Sequence, residues 1–540
     1  MSALSLKLPP AGWTLAGLFA FYVFAGLFGH DPWKTEDVIH LAVARDFLDA
    51  GHGLGLSLAG RPFLAAPLYY WSAALTYLGF GWFMPMHDAL RFASGLWTAL
   101  TLVTLYYAGR EWYGQNNAAA APILLAGSFG LIVRAHEAQP MLVLLAAISL
   151  WLLAVALLPR KPKAAALFLA GALVCSALGV GLAGLLLLLV LTPLPLLFYR
   201  ARVPCLSVLL ALAFSALVLA AVGGGLYALA SEWFVAWIQH ERTMLFANDW
   251  RYGRDMLVFL ELLPWFSWPL WPLAGWSLWR KRRQWKNTEI LLPLVVFGVL
   301  LLVLPVCVAA RESTAILLLP PLALLATPGA LSLRRGAANA LDWFSGTVFS
   351  VFALLLWTGW SAMIFGHPAR LAQRAVELEP GFTGRFDLWF FALAVLVTLW
   401  WGWLLLKLPR SPWRCITRWS AGLAIGWLLA VSLWLPWIDY GKSYRQLAAT
   451  LAAQLPERAG CIAEWHLGDA QRASFAYFER LHFTPLGAGG LRCRWLLTQG
   501  SSRAELTPPG HGWQRVWEGN RAGDRRERFR LYRRLNGEIE

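Results

Sequence analysis

The sequence predicts a mainly α-helical, polytopic membrane protein of about thirteen transmembrane helices with a small α/β domain at its carboxy terminus. Three observations carry this. Of the 540 residues, 58% are hydrophobic and only 14% charged, with a mean hydropathy of +0.54. That is more apolar surface than a soluble core of this length can hide. Apolar runs of bilayer length recur from Trp13 almost to Trp437. Beyond Asp439 the composition changes, and short strand and helix patterns alternate.

The first run covers residues 13–28, and a polar stretch over 30–87 follows. The run is long for a signal-peptide core and no small-residue cleavage site follows it, so it reads as a retained span. Further spans are expected at 89–107, 118–133, 140–158, 164–180, 182–198 and 206–230. A second polar stretch, 231–255, precedes spans at 256–278, 290–309, 314–326, 344–365, 388–406 and 421–437. Boundaries drawn this way are good to about 2–4 residues.

Charge orients these spans. The formal net charge is +16, which in a soluble chain would raise nucleic acid as a partner. Here the cations sit in short clusters between apolar runs: Arg160, Lys161 and Lys163; Arg200 and Arg202; Arg280 to Arg283; Arg334 and Arg335; Lys407, Arg410, Arg414 and Arg418. This is topology signalling, not nucleic-acid binding. With Lys7 and the amino terminus in the cytoplasm, every cluster falls on the cytoplasmic side. The stretches 30–87, 231–255, 366–387 and 439–540 then lie outside. The 32 Trp residues suit a protein with two membrane interfaces. The expected division is a transmembrane domain over 1–438 and a periplasmic domain over 439–540. No internal repeat is evident, and the ionisable residues gather at one surface, which argues against a transporter.

In the last region, 444–455 and 471–481 read as helices, and 461–465, 495–498, 514–517 and 528–532 as strands. Cys175, Cys205, Cys307 and Cys415 fall in or beside apolar spans as small buried hydrophobes. Cys461 and Cys493 are the two cysteines of the external region. An oxidising compartment permits a disulfide between them, and both the bridged and the free pair remain open. No CxxC or His spacing accompanies them to suggest a metal.

The chemistry-bearing segment is the run His30-Asp31-Pro32-Trp33-Lys34-Thr35-Glu36-Asp37, three carboxylates and a lysine directly after a span. Such a cluster can act as a base, hold a cation, or simply cap a helix at a solvated loop. His30, His40 and His52 read as ordinary polar loop residues.

The segment Asp31-Pro-Trp-Lys-x-Glu36-Asp37 resembles the first loop of the GT-C glycosyltransferases, in particular the bacterial branch related to lipid A aminoarabinose transferase and protein mannosyltransferases. Gly60-Arg61-Pro62-Phe63, Pro67-Leu68-Tyr69-Tyr70-Trp71, Arg91, Arg134 and the run 317–322 continue the resemblance in order. It implies an inverting transfer from a polyprenyl-phosphate-linked sugar to a lipid or glycan acceptor, by a monomer in the bacterial inner membrane. Glu36 aligns with the family's acidic residue and is the first choice as base, then Asp37 and Asp31. Lys34, Arg61, Arg242 and Arg311 are the expected donor-phosphate cations, with His240, Glu312, Arg134 and Glu137 as further site candidates. No cofactor is implied with certainty, and a divalent cation is left open. The chain departs from the family at Ala65-Ala66-Pro67, where relatives carry Glu-Lys-Pro-Pro, and at Ile39-His40, where they carry Arg-Tyr. Arg61 and Arg242 are the natural substitutes for the missing lysine. The late acidic position is Gln139, with Glu137 close by.

Overall fold

The computed structural model describes residues 11–535, apart from Thr35, 50–53, 200–204, 247–251, Trp285, 409–410, Pro412, 457–459, 488–489, 502–511 and Arg525. Lys7, His52, Arg200, Arg202, Arg251 and Arg410 therefore lie outside the described residues.

The chain is a multi-pass membrane protein. Helix α1 (Ala11–Phe24) leads into a loop region holding α2 (Glu36–Asp49), the hairpin of β1 (Ser57–Leu58) and β2 (Arg61–Pro62), and α3 (Leu68–Phe80). Then come α4 (Met86–Tyr113), α5 (Ala120–Ala126), α6 (Phe129–Arg134), α7 (Met141–Leu157), α8 (Pro162–Val180), α9 (Leu182–Leu191), α10 (Leu194–Tyr199) and α11 (Cys205–Leu229). After α12 (Ser231–Phe246), the bundle continues through α13 (Tyr252–Phe266), α14 (Leu270–Arg280), α15 (Thr288–Cys307), α16 (Glu312–Ala315) and α17 (Leu319–Leu331). It closes with α18 (Arg335–Phe365), α19 (Ala369–Leu378), α20 (Leu388–Lys407) and α21 (Arg414–Lys442).

Every expected span falls on a helix or a broken pair. Among the described residues, eight helices are long and apolar enough to cross a membrane, or nine if the bent pair of α13 and α14 is one span. The α11 residues Leu206, Leu209 and Leu217 are more than 60% exposed, a surface suited to lipid alone. At the other extreme, α7 is buried on all sides, as a central helix must be.

Three expected spans are interrupted by turns. Residues 118–133 break at Gly127 and Ser128 between α5 and α6. A broken helix in lipid must find new donors for its freed carbonyls. Here α21 supplies one: Trp419 Nε1 donates to the Gly127 carbonyl (2.8 Å), and Ser420 Oγ adds a second donor (2.7 Å) to the Ile123 carbonyl, which keeps the Gly127 N–H. The approach is close enough that a Cβ on Gly127 would lie 2.2 Å from Ser420 Oγ. Residues 256–278 bend by 90° between α13 and α14, where Pro269 lacks a backbone donor and restricts Trp268. Pro193 likewise separates α9 from α10.

The carboxy-terminal region follows the sequence expectation with one addition. Helices α22 (Arg445–Ala452) and α23 (Asp469–Glu479) pack on a sheet of β3 (Ile462–Trp465), β4 (Phe483–Pro485), β5 (Trp495–Ser501), β6 (Trp513–Gly519) and β7 (Glu527–Arg534). The strand order is β4-β3-β5-β7-β6, parallel through β5 and antiparallel beyond it. β4, only three residues long, escaped the sequence pattern. Leu447, Leu451, Phe475, Leu497, Phe529 and Leu531 form the core between sheet and helices. On its other side α23 packs Ala473 and Tyr477 against Val38 and Leu41 of α2, so the region rests on the loop that carries Glu36.

Cys461 and Cys493 are joined in a disulfide that spans 32 residues. By its loop-closure entropy, Cys493→Ser should weaken the sheet by about 3–4 kcal/mol. Amide exchange in β5 and β7 should lose protection accordingly; unchanged protection would show that the bridge adds nothing.

Candidate functional site

Glu36 and Asp37 occupy the first turn of α2, where the helix dipole favours carboxylates. The structure gives the two neighbours different surroundings. Asp37 is 2% exposed. It accepts from Arg91 Nε (3.1 Å) and Nη2 (3.0 Å), the Trp33 N–H (3.1 Å) and the Ala138 N–H (2.7 Å). Burial pushes its carboxyl up, but the Arg91 guanidinium outweighs this and holds it below the ordinary range. Arg91, wholly buried, also binds the Leu27 carbonyl (2.9 Å) and Asp88 (3.3 Å). With four donors on two oxygens, Asp37 has no lone pair directed at a substrate.

Glu36 is partly open, its side chain 20% exposed. Oε1 accepts from Arg311 Nη1 and Oε2 from Gln139 Nε2, each at 3.1 Å. His40 Nε2 lies 4.0 Å from Oε2, while its Nδ1 is hydrogen-bonded to Tyr70 OH (2.8 Å). Burial opposes ionisation of Glu36; His40, Gln139 and Arg311 together overcome it and hold the carboxyl below its ordinary value. Burial lowers His40 to about 4, against the pull of the Glu36 carboxylate.

Arg311 and Glu312 face the alternative of pairing with each other, and they do not. Arg311 reaches Glu36, whereas Glu312 accepts from Arg134 Nη2 (2.6 Å), whose Nη1 donates to Glu137 (2.6 Å). Burial raises the Glu137 carboxyl despite Arg134 beside it. Beside Glu137 of this cluster a cavity opens. Its polar wall is His30, Trp33, Glu137 and Lys442; Trp427 and Leu435 stand on the apolar wall. Lys442 Nζ lies 4.3 Å over the Trp33 ring, and burial lowers its pKa.

Several candidates stand elsewhere. Asp31 accepts from Ser443 Oγ (2.6 Å) and from both Nε (2.9 Å) and Nη2 of Arg445, which commits it to the junction of α21 and α22. Lys34 pairs with Glu527 (3.2 Å). Arg61 binds Glu464 and the Phe483 carbonyl, both at 2.8 Å. Opposite charges on the carboxy-terminal region hold both cations. His240 is half-buried and Arg242 exposed on α12, and no contact joins them to the Glu36 cluster among the described residues. Their neighbour Glu241 anchors that helix, accepting from the Leu182 N–H (2.9 Å) and Trp237 Nε1 (3.0 Å). Among the described residues no three His, Cys, Asp or Glu side chains form a metal-binding group.

Sequence reasoning missed Lys442 and Asp439. Asp439 accepts from the Asp31 N–H (2.9 Å) and Trp33 Nε1 (2.8 Å), and burial, then the charge of Asp31, pushes it up to about 6. A signal existed: both are charged residues at the carboxy-terminal end of the last span.

No family model matches the chain. It is 27% identical over 314 residues to the undecaprenyl phosphate-α-4-amino-4-deoxy-L-arabinose arabinosyl transferase 1 of Pseudomonas fluorescens strain Pf0-1. That match covers 53% of each protein, so it spans about half the length of the relative. Among solved structures the chain is similar to ArnT from Cupriavidus metallidurans bound to undecaprenyl phosphate, with a TM-score of 0.64 at 15% identity over 97% of this chain and 98% of that one. The apo state of the same protein gives a TM-score of 0.61 at 15% identity, over 96% and 98%. The fold is the GT-C fold expected from the resemblance.

Arg91→Met leaves the Asp37 carboxylate buried without its cation, and should cost about 3–5 kcal/mol. Thermal unfolding in detergent should show this, with much of the loss restored by adding Asp37→Leu. Wild-type stability in the single variant would remove the pair from its structural role.

Proposed function

We propose that this chain is an inner-membrane glycosyltransferase that moves a sugar from a polyprenyl-phosphate donor to a lipid or glycan acceptor at the periplasmic face, with inversion. The observation that carries the reading is Glu36, a carboxylate held ionised and partly open between Gln139 and Arg311, in a chain with the fold of ArnT. The wider reading places the amino terminus in the cytoplasm. It takes 439–540 as a periplasmic domain that shapes the acceptor side, tied down through Arg445–Asp31, Glu527–Lys34 and Glu464–Arg61.

Glu36 accepts the proton of the acceptor hydroxyl as that oxygen bonds to the anomeric carbon. The bond from the anomeric carbon to the donor phosphate breaks on the opposite face, and the lipid phosphate leaves as an anion. Its growing charge needs cations. Arg311 and Lys442 are the two this site offers, taking the place that the sequence assigned to Lys34 and Arg61. Gln139 and Arg311 orient Glu36; Asp37 holds the turn that presents it.

A second reading, a catalytically degenerate relative that binds polyprenyl phosphate, is favoured by one observation: two of the four expected phosphate cations are engaged by the carboxy-terminal region. Purified protein in nanodiscs with a polyprenyl-phosphate sugar and an acceptor separates the two readings. Glu36→Gln should lower transfer by about 10²–10⁴-fold with donor retention unchanged. Transfer that survives Glu36→Gln would refute the base assignment; donor binding without turnover by the wild type would establish the degenerate reading.

The pH dependence follows. The active form of Glu36 is the anion, and its pKa lies below the ordinary 4.5. Transfer limited by this base should therefore stay level as pH falls from neutrality to about 4.5 and decline only below that. Arg311→Ala should move the decline upward. An inflection near pH 6 or 7 assigned to Glu36 would contradict its environment.

A further inference from the structure

The basic clusters between the spans are not equivalent in the structure. Arg160 and Lys161 close on Glu111 (3.6 and 3.1 Å), and Arg414 and Arg418 on Asp342 (3.0 and 2.8 Å). Arg280, Lys281, Arg282, Arg283, Arg334 and Arg335 meet no carboxylate among the described residues. Packing brings the two halves of this last group together. Helix α14 approaches α17 so closely that a Cβ on Gly329 would lie 2.1 Å from the Leu273 carbonyl oxygen. Trp276 Nε1 donates to the Ser332 carbonyl (3.3 Å). The turn from α17 into α18 therefore lies beside the end of α14.

Two of the guanidinium groups are set over indole rings. Arg334 lies 5.6 Å from the centre of the Trp276 ring, and Arg282 lies 4.8 Å from that of Trp279. Arg282 Nη1 also donates to the Trp279 carbonyl (3.1 Å). Trp276 and Trp279 are three residues apart, so they share one face of α14 with about 5–6 Å between their Cβ atoms. A guanidinium over a ring is weakly hydrated and keeps donors free for an anion. Both arginines are exposed, and Trp279 is 61% exposed. The surroundings are lipid: α14 is half of the bent pair with the composition of a span, and an exposed indole at such an end sits at headgroup level. Topology signalling accounts for cations here, but not for two of them stacked on neighbouring rings without a counter-charge.

We infer that this patch binds a phospholipid with two phosphodiester groups, one held by Arg334 and the other by Arg282. Guanidinium forks pair bidentately with phosphate, and two forks one helical turn apart match the two phosphates of one headgroup. Arg280, Lys281, Arg283 and Arg335 add to the attraction, as basic pockets between spans do for such lipids. The inference is independent of sugar transfer. Helix α15 has 20 residues and so separates this patch from the Arg311 end by about 30 Å.

Native mass spectrometry of the full-length, delipidated protein tests it. Tetraoleoyl cardiolipin, dioleoyl phosphatidylglycerol and dioleoyl phosphatidylethanolamine are added separately at equal phosphate concentration. The wild type should retain cardiolipin in preference to phosphatidylglycerol, and phosphatidylethanolamine least. Arg282→Ala combined with Arg334→Ala, exposed changes that leave four cations to hold the topology, should lower cardiolipin retention by about thirtyfold. Arg282→Lys with Arg334→Lys keeps the charge but not the forks, and should retain cardiolipin no better than phosphatidylglycerol. Arg160→Ala with Lys161→Ala, at a cluster that has its own carboxylate, should leave retention unchanged. Equal retention of cardiolipin and phosphatidylglycerol by the wild type would overturn the inference, as would full retention by the double alanine variant. Wild-type behaviour of the double lysine variant, or an equal loss in the Arg160 and Lys161 control, would also overturn it, by reducing the site to net charge.

Discussion

The buried pair of Asp37 and Arg91 is the constraint on which the rest of the site depends. Arg91 projects from the second apolar run and cannot reach water, so its charge must be met inside the protein. Asp37 meets it, and the leftover donors of Arg91 bind the turn after α1 through the Leu27 carbonyl. The leftover lone pairs of Asp37 bind the Trp33 and Ala138 N–H groups. One ion pair thereby joins α1, the turn into α2, α4 and the segment before α7. Replacing either partner would leave a charge stranded in low dielectric, whereas each alone has little intrinsic preference for this geometry.

From that anchor the neighbouring carboxylate inherits its position. Successive residues on a helix point about 100° apart, so pinning Asp37 inward turns Glu36 toward the cluster of Gln139, Arg311 and His40. Two adjacent acids of similar intrinsic strength thus separate into a saturated, wholly buried carboxylate and a partly open one. The same logic divides the cations. Lys34, Arg61 and Arg445 are drawn to carboxylates across the boundary between the loop and the carboxy-terminal region. Lys442 remains on the cavity wall, and Arg311 stays with Glu36.

The membrane bundle obeys a different constraint, that no backbone polar group goes unpaired in lipid. Where Gly127, Pro193 and Pro269 interrupt their helices, the chain keeps its depth by turning. At the first of these, the Trp419 indole of α21 donates to the Gly127 carbonyl. The helix that resumes after the break, α6, ends at Arg134, whose guanidinium spans Glu137 and Glu312.

Much of this was legible in the sequence, and the physical reason is that hydrophobicity is local. Burial in lipid demands about twenty apolar residues in a row, and that demand is written into each span from 13–28 to 421–437 without reference to any other. The strands and helices after Asp439 are likewise carried by local periodicity, except β4, too short to show one. What only the tertiary structure decided is which charges meet. Glu36 and Arg311 are 275 residues apart, Asp31 and Arg445 414. Nothing in composition or spacing distinguishes Lys34 as a tether from Lys442 beside the cavity. Hydrogen bonds act over about 3 Å, and only the packed bundle brings such distant residues within that reach.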